Sequence, residues 1–347
     1  MLRQPAANLG HHFEEGSNQS EYRVIPKAGA SFASLQGDKS KRSAKRMEPI
    51  KKKVRKSVAG TVSKVRKYIR SLDEEQNEGE RDYSKDDFAY PWLNARFLSV
   101  LREAHAWKKP SYAWGVVHGA HLASRLDVKK ISILEFGVAG GNGLVTLENV
   151  GKKVEEIFGL SIDVYGFDTG KGLPEPRDYR DMPNLYRKAA FPMDPEKLRR
   201  RLKRARLQLG LVRETVTEFI RSRPAPVAFF AIDLDYYSST LDALKLLDAD
   251  ARLLLPRVHC YFDDVMGFTN CDFNGERLAI TDFNRAHEKQ KISPIYGLKH
   301  FLPPRYANAQ WVEEMYMAHL FDHPSYCRDD GLVRRPFSGG TELRDDP

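Results

Sequence analysis

Between residues 130 and 265 the apolar positions form short, nearly unbroken runs separated by stretches with helical recurrence. The runs are KKISILEFGV, IDVYGFD, LGLVRETV, VAFFAIDLD and RVHCYFDDV. The helical stretches are GLVTLENVGKKVEEIF, a long basic insertion and STLDALKLLDADARLLL. Such alternation predicts βαβ units, hence an α/β fold with a mostly parallel central sheet and helices on both faces. ISIL and VAFFAI are almost wholly apolar, as strands covered on both faces must be. In such sheets ligands sit at the carboxyl ends of the strands. Upstream, helical patterns over Pro91–Ala106 and Tyr112–Leu126, the first opened by a proline at a tolerated position, make residues 88–129 a helical flank or lid. The α/β domain spans 130–325, and 326–347 read as a flexible tail.

The N-terminal quarter differs. Residues 1–48 are polar without sustained period and read as a disordered tail. Over 49–70, Ile50, Val54, Val58, Val62, Val65 and Ile69 fall within an arc of about 120° on a helical wheel among Lys and Arg. This predicts a basic amphipathic helix, a helical extension that either lies on an anionic membrane surface or docks a partner, or simply solvates a charged face. Residues 71–87 carry eight acids against Arg81 and Lys85 and read as a linker, so 49–87 form one helix-and-linker unit.

Charge follows this division. The chain has 347 residues and a net charge of +9, but Lys41–Arg70 holds thirteen Lys or Arg against Glu48 alone. That stretch carries more than the whole excess, and the body is slightly acidic. A phosphate-backbone footprint is therefore missing from the body, and nucleic acid is not the expected partner. Cys260, Cys271 and Cys327 form an odd set without a CxxC pair, which suits a reducing compartment. With no apolar run near the roughly 20 residues that span a bilayer and no signal-peptide core, a soluble cytoplasmic protein is expected. Its basic helix would offer a hold on the inner membrane face. Oligomeric state is not legible.

The chemistry gathers at the strand ends. After the first strand come Glu135, Phe136, Gly137, Val138, Ala139, Gly140, Gly141, Asn142 and Gly143, then a helix. Glycines permit a sharp turn and close backbone approach, and the helix start presents free N–H groups. A dinucleotide fingerprint from Gly137 needs glycine where Ala139 and Asn142 stand, which weakens a nicotinamide oxidoreductase reading, and no GK[ST] follows. Asp168 ends the second strand, placed either to accept ribose hydroxyls or to open a turn with Thr169 and Gly170. Asp233 and Asp235 follow the fourth strand, and Asp263 and Asp264 the fifth. Four converging carboxylates repel unless a cation or shared protons neutralise them. Hard oxygen ligands favour a divalent metal such as magnesium, with Asp233, Asp263 and Asp264 as ligands; the alternative is helix capping. His118 and His121 read as a surface pair, and KLRRRLKRARL at 197–207 as the solvated face of a helix.

The ordered strings LEFGVAGG, YGFDTGKGLPE, DLDYYSSTLDAL and CYFDD resemble the macrocin O-methyltransferase family of class I S-adenosylmethionine-dependent enzymes, over roughly Ser111–Asp322. The resemblance implies a Rossmann-like class I methyltransferase fold over 130–325. It implies a cofactor set of Glu135, Gly137, Gly140, Gly141 and Asp168, and a magnesium site of Asp233, Asp263 and Asp264. Asp233 and Asp235 are then catalytic, and the acceptor is a hydroxyl on a small molecule, sugar or glycan. The chain departs from the family pattern at Gly170 and Lys171, in the long basic stretch 177–206, and in LLLPRVHCYFDD, which lacks a glycine before the fifth strand. The rival expectation is a catalytically silent S-adenosylmethionine-binding scaffold recruited through its basic helix.

Overall fold

The computed structural model describes residues 90–328 and residue 332. The expected tail at 1–48, the basic helix and linker at 49–87, and most of 326–347 lie outside the described residues.

Two helices lead in, α1 (Tyr90–Glu103) and α2 (Pro110–Arg125). Then come β1 (Lys130–Phe136), α3 (Asn142–Phe158), β2 (Ser161–Asp168), α4 (Pro195–Arg201), β3 (Arg206–Leu209) and α5 (Val212–Arg221). The chain continues with β4 (Val227–Ile232), α6 (Tyr237–Leu244), β5 (Leu254–Phe262), α7 (Gly275–Ala286), β6 (Gln290–Pro294) and β7 (Met315–Leu320). One seven-stranded sheet orders them β3-β2-β1-β4-β5-β7-β6. β7 alone runs antiparallel to both its neighbours, β5 and β6, and the other pairings are parallel. This is the expected Rossmann-like α/β fold, a mostly parallel sheet with helices on both faces.

Side-chain alternation sends Ile131 and Ile133 of β1 to one face, with Leu93, Tyr112, Val116 and Leu147 of α1, α2 and α3. Leu134 and Phe136 go to the other, with Val216, Phe219, Leu244 and Phe283 of α5, α6 and α7. Every residue of β4 is buried, which accounts for its unbroken apolar run. Pro256 has no N–H to give to a ladder. Around it the β4–β5 pairing slips from Val227↔Leu254 to Phe229↔His259.

α2 lies directly on β4, because a Cβ at Gly119 would come within 2.8 Å of the Ala228 carbonyl oxygen. Residues 111–123 of this helix are all buried. The expected surface pair His118 and His121 is therefore corrected to a buried one, 6% and 9% exposed. Two other readings change. LGLVRETV is mostly helix α5, the edge strand being RLQL just before it. The basic insertion holds a single 3-10 turn at Tyr179–Asp181 and the short α4, and the run at 197–207 ends in β3 rather than continuing as a helix. Among the described residues no helix is long and apolar enough to cross a membrane.

Candidate active site

The turn after β1 is fixed by its neighbours. Gly137 has φ +84°, and a Cβ there would stand 1.7 Å from the Asp233 carbonyl oxygen. Only glycine allows β1 and β4 to leave the sheet so close together. The Asp168 carboxylate stitches the loop from the next strand: Oδ2 accepts from the N–H groups of Val138 and Ala139, each at 2.9 Å, and Oδ1 from Gly170 at 2.7 Å. Asp168 thus opens the turn to Gly170, as one reading expected, and it also lines the cleft. Gly141 closes the loop and starts α3 with no side-chain cap on the helix N–H groups. A side chain at Gly140 would meet nothing within 4 Å.

Beneath α3 lies Glu135, 2% exposed. Tyr112 donates its hydroxyl to Glu135 Oε1 at 2.7 Å, while Oε2 is buried without a partner. Burial raises this carboxyl to about 8, partly offset by the Tyr112 hydrogen bond. The N-terminal turn of α3 rests on it, for a Cβ at Gly143 would sit 1.8 Å from Oε1. Glu135 and the glycine loop line a cleft of about 340 Å³ that also touches Asp168, Leu211, Val212, Asp233 and Asp235. That volume lies in the range of small-molecule sites.

The cleft runs into the acids at the ends of β4 and β5. Lys109, which precedes α2, brings Nζ to 3.5 Å from Asp233 Oδ2 and 3.4 Å from Asp263 Oδ1. Asp263 Oδ1 also accepts the Tyr261 hydroxyl at 2.5 Å. Asp264 Oδ1 accepts from the hydroxyl of Tyr186 at 2.7 Å, while Oδ2 is buried and unpaired. Buried Glu276 at the start of α7 braces both acid-bearing loops, accepting from the N–H groups of Leu234 at 3.5 Å and Asp264 at 3.1 Å. Asp235 is 7% exposed at φ +60°, a conformation uncommon outside glycine that aspartate adopts more readily than most residues. Burial first, then neighbouring carboxylates, raise Asp233 to about 7 and Asp235 to about 8. Among the described residues, no group of three His, Cys, Asp or Glu side chains is arranged to enclose a metal ion.

All the cofactor and acid residues expected from sequence thus border one cleft or its adjoining cluster. Sequence reasoning missed Lys109, Tyr112, Tyr186, Tyr261 and Glu276. Tyr261 stood inside the CYFDD string and Glu276 lies 12 residues after Asp264, but Lys109, Tyr112 and Tyr186 lie far along the chain from the carboxylates they touch and carry no local signal. The basic run also proves to be more than a solvated face. Arg201 donates to the Gly140 carbonyl at 3.0 Å and to Asn142 Oδ1 at 2.8 Å. Buried Glu148 of α3 collects the N–H groups of Lys203, Arg204 and Ala205.

No family model matches the chain, and no curated protein matches it. Among solved structures it is similar to the O-methyltransferase NovP, at 16% identity over 49% of this chain and 69% of that one, TM-score 0.38. It is also similar to CalS11, a calicheamicin methyltransferase, at 21% identity over 68% and 89%, TM-score 0.38. A third is MycE from the mycinamycin biosynthetic pathway, solved with Mg, SAH and mycinamycin VI, at 14% identity over 65% and 54%, TM-score 0.35. These likenesses concern the fold alone.

Proposed function

We propose that the protein is an S-adenosylmethionine-dependent O-methyltransferase acting on a hydroxyl of a sugar or glycan-type acceptor with help from a divalent cation, best fitted by magnesium. The observation that carries the reading is the half-satisfied Glu135 carboxyl in the cleft and the carboxylate cluster that adjoins it. Glu135 Oε2 is a buried acceptor without a donor, and an unmet buried acceptor is costly. A ligand ammonium group would satisfy it. The uncapped start of α3 favours a ligand carboxylate, so the two together fit the amino-acid portion of the donor. Asp168 stands on the cleft wall for the ribose hydroxyls, and the open surface at Gly140 lets the ligand approach the backbone.

When bound, the donor supplies a sulfonium methyl group; the acceptor oxygen attacks its carbon as the carbon–sulfur bond breaks and the electron pair stays on sulfur. The protein must align the two reactants and remove the hydroxyl proton. Asp235, which lines the cleft beside the cluster, would take that proton or orient the acceptor. Asp233, Asp263 and Asp264 would hold the cation, with the unpaired Asp264 Oδ2 offering a ready ligand atom. A bound divalent ion lowers the pKa of a coordinated hydroxyl.

The test is a pair of measurements on Asp264→Ala. Calorimetric S-adenosylmethionine binding should stay close to wild type while methyl transfer to a panel of glycosides falls below detection. Full activity of Asp264→Ala in EDTA would overturn the cation's role. Donor binding by wild type without turnover on any acceptor would instead favour the silent scaffold.

A further inference from the structure

Lys109 stands among the groups that a divalent cation would need. Its ammonium lies between the carboxylates of Asp233 and Asp263, at 3.5 and 3.4 Å. Its Nζ lies 5.2 Å from the Tyr112 ring centre and 5.6 Å from that of Tyr261, within range of a cation–π attraction. The backbone of Lys109 is anchored, because it is the residue before α2 and that helix is buried from Ser111 to Ala123. The side chain nevertheless keeps 27% of its surface in contact with solvent, so the ammonium has a way out.

We propose that Lys109 is a built-in cation, a positioning residue that holds Asp233 and Asp263 together in the metal-free protein and competes with an incoming divalent ion for their oxygens. The inference rests on the reading of this cluster as a cation site. Two carboxylates at adjoining strand ends repel when both are ionised, and one ammonium between them relieves the repulsion. The same oxygens cannot hold a divalent ion as well without bringing two positive centres within ion-pair range. Asp264 does not share in the lysine's contacts: Tyr186 holds one oxygen, and the other is buried and unpaired. Two of the three expected ligand residues are thus engaged by the lysine, and the third is not. Lys109 swinging out to solvent would release them.

The test is Mn²⁺ binding to the full chain by isothermal titration calorimetry, comparing wild type with Lys109→Met and Lys109→Arg. Methionine keeps an unbranched stem against the two tyrosine rings and removes the charge. Lys109→Met should bind Mn²⁺ roughly tenfold more tightly or better, the amount that corresponds to about 1.4 kcal/mol. Lys109→Arg should remain as weak as wild type. In EDTA, Lys109→Met should melt below wild type, and Mn²⁺ should raise its melting temperature more than it raises that of wild type. Equal Mn²⁺ affinity in wild type and Lys109→Met, or no binding by either, would overturn the proposal. Should Lys109→Met fail to fold, Lys109→Gln carries the same comparison. Donor binding by wild type in EDTA separates the two readings: its absence counts against the methyltransferase, whereas its presence with unchanged Mn²⁺ affinity removes only the role given to Lys109.

Discussion

The carboxyl of Glu135 gives up water for a single hydrogen bond from Tyr112, so exchanging it for an amide isolates what the second oxygen does. Glu135→Gln keeps a carbonyl oxygen for Tyr112 and loses the negative charge. Donor affinity measured by calorimetry should fall about 10- to 100-fold, the scale of one charge-assisted hydrogen bond, while the melting temperature at neutral pH stays the same or rises. An unchanged affinity would move the ammonium contact elsewhere. Gly137 makes the opposite kind of demand, since it needs space rather than charge. Gly137→Ala would press a methyl group onto the Asp233 carbonyl and hold a non-glycine residue at positive φ. A loss of about 3 kcal/mol or more is expected in chemical denaturation, together with loss of donor binding. At this scale the glycine string and the paired aspartates were legible because their chemistry is local. Lys109 and Tyr186 were not, because nothing in KKP or LYRK says which carboxylate, more than 75 residues away, each will meet.

Elements hold the site through close contacts between backbones. Gly119→Val would wedge a branched side chain between α2 and Ala228 of β4. Overpacking of this kind costs about 1–3 kcal/mol, and here it would also shift Lys109 at the head of the same helix. Thermal unfolding with and without Mn²⁺ would register both effects. The link between α3 and the strand after the basic run depends on Glu148, whose carboxylate accepts three successive backbone N–H groups. Glu148→Ala leaves those donors unmet, at about 1–3 kcal/mol by comparison with other buried donors, and should speed hydrogen exchange at Lys203, Arg204 and Ala205 in particular. Periodicity placed α3 and β4 well, yet it read LGLVRETV as a strand. An amphipathic helix and a half-buried strand share short apolar runs, and only the pairing of RLQL with β2 decides between them.

For the molecule as a whole, buried titratable groups set opposing pH limits. His118 is stacked on Trp114 with its Nδ1 against the Trp114 carbonyl, and His259 lies 5.9 Å away across α2 and β5. Burial lowers His118 from 6.5 to about 3. The unfolded chain therefore binds the extra proton between those values, and stability present above 6.5 is lost as pH falls toward 3. Glu135 acts in reverse: raised from 4.5 to about 8, it binds its proton more tightly in the folded chain, so stability is lost as pH rises between those values. The two slopes offset one another between 4.5 and 6.5. Asp233 and Asp235, raised from 3.8 to about 7 and about 8, add to the Glu135 slope, so the ligand-free protein should lose stability to denaturation as pH rises toward 8 and, through His118, as pH falls toward 3. Donor bound at Glu135 should flatten the alkaline fall and leave the acid one unchanged; an alkaline limb indifferent to donor would count against the ammonium contact.

From the sequence alone came the class of fold, the strands β1, β2, β4 and β5, the glycine turn and the four aspartates, because each depends on periodicity or on residues near one another in the chain. The tertiary structure decided the rest. It buried His118 and His121, which looked like a surface pair, because α2 is covered on all sides. It turned the basic run into a clamp on the glycine loop through Arg201. Above all it brought Lys109 from ahead of the sheet to the carboxylates at the carboxyl ends of β4 and β5, a meeting set by how α2 crosses these strands and by no spacing along the chain.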